Sequence, residues 1–129
     1  MFAFSDFAGD LSEWNVENVT DMSRMFWNNE VFNSDLNDWT VSSVTDMNEM
    51  FEGATSFNGD ISSWDVRAVT NTAEMFENAR AFNQDLSGWQ LDNTTSLTRM
   101  FSGAGAFDQN LGSWDVTGFS LMTGMLDNT

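Results

Sequence analysis

The chain contains no cysteine, proline, histidine, lysine or tyrosine, and its basic residues are four arginines, Arg24, Arg67, Arg80 and Arg99. Each absence closes off a class of chemistry. Without cysteine there is no disulfide framework, thiol nucleophile or thiolate metal site, and both secreted and intracellular locations stay open on that count. Without histidine, lysine and tyrosine the usual general bases and many nucleophiles are missing. Paired carboxylates could still hydrolyse a glycoside, but the acids here recur along the chain instead of clustering once. There is no Gly-rich phosphate loop. The expectation is a protein that is not an enzyme. No apolar run approaches the roughly 18 residues of a membrane span. Met1 to Phe7 lacks the basic start and long apolar run of a signal peptide, so a secreted form is expected to have lost its leader.

What is present is acidic and aromatic. The 129 residues carry 20 acids and a formal net charge of −16, with 41% hydrophobic and 14% aromatic residues. That apolar content suffices for one folded domain and argues against disorder. The charge repels nucleic acid phosphates and anionic membranes. It favours cations and basic partners. No nucleic acid partner and no membrane insertion are expected.

The apolar residues are periodic. Trp14, Trp39, Trp64, Trp89 and Trp114 recur every 25 residues, as do Phe7, Phe32, Phe57, Phe82 and Phe107, and Met25, Met50, Met75, Met100 and Met125. Such a period held over five copies is the signature of a repeat array. The single domain 1–129 divides into a partial turn, 1–6, and five repeats, 7–31, 32–56, 57–81, 82–106 and 107–129. Phe4 takes the place that Ala54 holds later. Within a repeat, Trp39 and Val41 alternate with Thr40, which predicts a short strand. Val44, Met47, Met50, Phe51 and Ala54 step by three or four, which predicts a short helix with Thr45 as its N-cap and Asp46 in its first turn. The expected fold is α/β: a right-handed solenoid of five turns of 25 residues, with one short parallel strand and one short helix per turn.

The string F-N-x-D-L-S-x-W-D-V-x-x-V-T-x-M-x-x-M-F, seen in Phe57 through Val66 and in Val44 through Phe51, resembles the 25–26-residue repeat of bacterial-type surface proteins related to the BspA-like leucine-rich repeat proteins. The resemblance spans nearly the whole chain. It implies a leucine-rich-repeat-like solenoid, a secreted or cell-surface location, and adhesion or recognition of a protein or glycan. Departures are Thr72 and Ala73, Leu91 through Thr94, and Phe119.

Candidate sites follow from the columns. The Trp column shares its face with valine and is expected to be a buried ladder instead of a sugar-stacking platform. The methionines are core filler instead of a Cu(I) site. Trp27 has no counterpart in other repeats and is expected on the surface. The outward positions Asn15, Thr40, Asp65, Gln90 and Asp115, with Arg67 beside them, vary and form the expected binding face. Each repeat also keeps one carboxylate in its Asn-x-Asp turn: Asp10, Asp35, Asp60, Asp85 and Asp108. These either accept backbone N–H bonds as Asx turns do or hold calcium between turns. No other cofactor is expected. Head-to-tail self-association, with turns stacking end to end, is the alternative to recognition.

Overall fold

A computed structural model describes residues 2–129. The chain returns over itself once per repeat, and the turns are joined by backbone bonds between residues one repeat apart. Thr45, Thr70 and Thr95 donate their N–H groups to the carbonyls of Thr20, Thr45 and Thr70 at 2.8–2.9 Å. Their hydroxyls donate to the same carbonyls at 3.0–3.1 Å. Thr45 is therefore a link between turns and not a helix cap.

The helix and the strand of each repeat are both corrected by the structure. Among the described residues none is helical, and the only β-pairing is a line of isolated parallel bridges, Asp21–Asp46–Asn71–Ser96–Leu121. The α/β leucine-rich-repeat-like solenoid is therefore not what forms. Where the helix was expected, alternate N–H groups leave the turn. Met47, Glu49, Phe51 and Gly53 donate to Asn71, Ala73, Met75 and Glu77 of the next turn. The N–H groups between them fold back three residues, Met50 to Met47, Glu52 to Glu49 and Ala54 to Phe51. Glu49 and Gly53 have positive φ, 55° and 67°. These are linked tight turns with left-handed third residues, the geometry of type II turns. A helix needs every N–H to bond four residues back, and here half of them are committed to the neighbouring turn.

The strand fails for a related reason. Trp39 and Val44 bond back three residues, to Leu36 and Val41, and run as turns. Trp39 and Val41 are nonetheless both buried with Thr40 exposed between them. The parallel bridges lie instead at Asp46, where the first helical turn was expected.

The core is built from stacked columns. Phe26, Phe51, Phe76 and Phe101 form one file with ring centroids 5.3–5.7 Å apart. Phe7, Phe32, Phe57, Phe82 and Phe107 form a second at 5.9–6.3 Å. The files touch where one repeat passes into the next at about 4 Å, as at Phe51–Phe57, 3.9 Å. Trp39, Trp64 and Trp89 stack at 6.3–6.4 Å with planes within 8°. Four indole N–H groups of the tryptophan column donate to the carbonyl 28 residues earlier, Trp39 to Leu11, Trp64 to Leu36, Trp89 to Ile61 and Trp114 to Leu86. Trp14, in the first turn, is 48% exposed. Thr72 takes a methionine position and is fully buried; its hydroxyl bonds the Ser96 carbonyl, which satisfies the polar group.

The first six residues deviate from the expected register. Phe4 N–H donates to Trp27 O as Asn28 N–H donates to Glu52 O, so Phe4 corresponds to Asn28 and not to Asn29, the Ala54 equivalent.

Candidate recognition surface

The outward column is open to solvent. Asn15, Thr40, Gln90 and Asp115 are exposed and Asp65 is half-buried. They stand between successive tight turns and not on a sheet, and three of them accept the N–H two residues on. Asn15 Oδ1 accepts the Glu17 N–H, Asp65 Oδ1 the Arg67 N–H and Asp115 Oδ1 the Thr117 N–H, at 3.1, 3.3 and 3.0 Å. The Arg67 guanidinium also grips Asp65 through both carboxylate oxygens, at 2.8 and 2.6 Å. That grip lowers the Asp65 carboxyl to about 2. Beside the pair, Ser63, Asp65, Arg67, Gly88 and Gln90 line a shallow depression of about 260 Å³.

The acidic turn column does local work. Asp10, Asp35, Asp60 and Asp85 each accept the N–H two residues on at 2.8–2.9 Å, and Asn110 does the same in the fifth repeat. The Ser12 and Ser87 N–H groups hold Asp10 and Asp85 below the usual carboxylate range. The asparagines before them link turns: Asn33, Asn58 and Asn83 accept the N–H groups of Asn58, Asn83 and Asp108. Asp108 therefore sits in the linking column through its backbone. The swap from aspartate to Asn110 keeps the acceptor and drops the charge. Adding millimolar calcium is expected to leave the melting temperature unmoved; a clear rise would show that these carboxylates hold the ion.

The structure brings together a different set of acids. Glu49, Glu52 and Glu74 place carboxylate oxygens within 4.8 Å of one another. Glu49 is buried and held by the Arg24 guanidinium at 2.7 and 2.8 Å, which keeps its carboxyl low. Burial raises Glu52 to about 7, and the Glu49 and Glu77 charges add to the rise. Trp27 lies on this face, half-buried under Phe4 and 5.2 Å from the Arg24 guanidinium carbon. Its indole N–H offsets part of the Glu52 shift without reaching hydrogen-bond geometry. Glu77 is also raised by burial, next to Glu74, with Arg99 3.8 Å away on its other side. Trp27, expected on the surface, is half-buried there. The signal for this patch lies in two columns, Arg24–Glu49–Glu74–Arg99 and Trp27–Glu52–Glu77–Ser102, which only the stacking of turns sets side by side.

Fold and surface together define a repeat protein of stacked turns with a uniform apolar interior and a varied polar exterior. The family described as "Mycoplasma protein of unknown function, DUF285" matches residues 1–114 and 73–129, and the chain belongs to this family. No curated protein and no solved structure matches it.

Proposed function

We propose that the protein is a non-enzymatic recognition module, secreted or displayed on a cell surface, that binds a protein or glycan through the column Asn15, Thr40, Asp65, Gln90 and Asp115 with Arg67. The observation that carries this reading is the contrast between columns. In the second to fourth repeats the inward positions repeat phenylalanine, tryptophan and methionine at near-zero exposure, whereas the outward column changes from amide to hydroxyl to carboxylate in successive turns. A rigid frame with one varied face is how repeat arrays present a binding surface. The paired Asp65 and Arg67 offer a carboxylate and a five-donor guanidinium beside the depression, a polar set suited to sugar hydroxyls or peptide groups. The BspA-like resemblance of the repeat string supports the surface location.

The test is binding of the purified chain to an array of glycans and of extracellular-matrix proteins. An Asp65→Ala/Arg67→Ala double variant is expected to lose the signal by about tenfold or more, while Glu30→Gln, an exposed acid outside the column, retains it. A signal equally strong in the double variant would refute the assignment of this face, and silence across the array would refute the recognition reading.

A further inference from the structure

The depression beside Asp65 and Arg67 is open because position 88 carries no side chain. Its column holds Glu13, Asp38, Ser63, Gly88 and Ser113. Nothing in the fold asks for glycine there. The Gly88 φ lies outside the left-handed region, and an added Cβ would meet only Ser62 O, at 3.9 Å, an ordinary contact. Serine stands at the same place in both adjoining turns, as Ser63 and Ser113. Gly59, by contrast, is forced, since a Cβ there would run into the Ser34 carbonyl. Gly88 is thus a glycine that packing does not require, lining a cavity of about 260 Å³.

The groups around that space are polar and partly uncommitted. The Arg67 guanidinium has five N–H donors; two are bound to Asp65, which leaves three. Asp65 Oδ2 accepts one bond, from Arg67 Nη2 at 2.6 Å, and has room for another. The Ser63 hydroxyl donates its proton to Asn37 O at 2.8 Å and keeps its lone pairs. Gln90 is exposed, with an amide that both donates and accepts. Asp65 pairs with Arg67, and the Asp92 charge also acts on the guanidinium, so an anion meets more acid than base there, while a cation meets Arg67. Trp64 and Val66 border the depression but are 3% and 1% exposed. An apolar anchor from a partner protein therefore finds no apolar floor. What matches is a neutral group whose adjacent atoms each donate and accept, as hydroxyls do.

We propose, on the reading of this column as a recognition face, that the depression takes one uncharged, hydroxyl-bearing sugar residue of a neutral glycan, and that Gly88 is the position that admits it. The sugar hydroxyls accept from Arg67 and Gln90 and donate to Asp65 Oδ2 and Ser63 Oγ. The volume lies just below the range of about 300–1,000 Å³ typical of drug-sized ligands, which suits a single ring. Because the ligand is uncharged, its affinity is independent of salt. The general attraction of a chain of charge −16 for basic partners is screened by salt, so the two are separable.

The experiment is a saturation-transfer NMR screen of the purified chain against free neutral oligosaccharides, uronic-acid oligosaccharides, amino-sugar oligosaccharides and oligolysine, followed by titration in low and high NaCl. The expected result is binding of a neutral oligosaccharide that salt leaves unchanged. Gly88→Gln, which fills the space, is expected to weaken it by about tenfold or more, and Gly88→Ser, the residue of the adjoining turns, to weaken it less. Gly105→Gln, at another exposed glycine with nothing within 4 Å of an added Cβ, is expected to leave it intact. Binding confined to the charged probes, binding that salt abolishes, or equal affinity in wild type and Gly88→Gln would each overturn the sugar assignment. Charged-probe binding that the Asp65→Ala/Arg67→Ala variant loses would do so while leaving the recognition face standing. Silence with every probe here and across the array would overturn both.

Discussion

Phe57→Ala is expected to lower the unfolding free energy by about 3–5 kcal/mol, the usual cost of emptying a phenylalanine site in a closed core. Phe57 has no exposed surface. Its ring lies 5.9 Å from Phe32 and from Phe82 along its own file, and 3.9 Å from Phe51 across to the other. Removing it opens a void shared by three consecutive turns, and such voids collapse poorly because the backbone of each turn is pinned to its neighbours. The comparison is Phe7→Ala, at the end of the same file, where the ring is part-exposed. Its loss is expected to cost about half as much or less, since less area returns to water. Urea titration followed by tryptophan fluorescence measures both. Equal costs at the two positions would contradict a stability carried by stacking.

Acidification is expected to stabilise the protein between about pH 7 and pH 4.5, through Glu52. Its carboxyl is raised to about 7 in the fold, from 4.5. The folded chain therefore binds a proton that the unfolded chain does not hold in that interval, and stability falls as pH rises through it. The contribution is fully present below 4.5 and lost above 7. Because Glu52 is only half-buried, solvent screening reduces the effect to about 1–2 kcal/mol. Glu52→Gln is expected to raise stability at pH 8 by that amount and to flatten the profile. Glu30→Gln, which removes the same charge from an exposed position, separates this from general relief of the −16 charge. The carboxylates held low, Glu49, Asp65, Asp10, Asp21, Asp85 and Asp115, titrate with the opposite sign below this window. Identical pH profiles for wild type and Glu52→Gln would rule the assignment out.

The buried columns are readable from spacing because burial is a per-repeat property. A residue that is inward in one turn is inward in the next, so Phe, Trp and Met need no three-dimensional information. The local backbone was less readable. Met47, Met50, Phe51 and Ala54 step by three and four, and both a helix and a run of tight turns return side chains to one face at that step. The distinguishing signal was the column Asn28, Gly53, Asn78, Gly103 and Asn128. Asparagine and glycine are the residues that tolerate positive φ, and all five adopt it. Their alternation has a cause as well: a Cβ on Gly53 would collide with Asn28 Oδ1, and one on Gly103 would press on Asn78 Oδ1. Charged residues also occupy left-handed positions, at Arg24, Glu49, Glu74 and Arg99, a choice no local preference predicts. The acid patch was illegible for a different reason. Glu49 and Glu74 are 25 residues apart, and only the stacking of turns makes them neighbours.

Every bond that joins turns spans 22 to 28 residues of chain, wherever it lies. The loop closed at each step of folding is therefore always of similar length. Its entropic cost is set by that length and is not compounded by the size of the array. A nucleus of adjacent turns has the same search to perform at Phe32 as at Phe82, and growth from it proceeds one loop at a time in either direction. Lengthening the stack by a turn would add contacts without adding a longer closure, so its relative contact order falls as the chain grows.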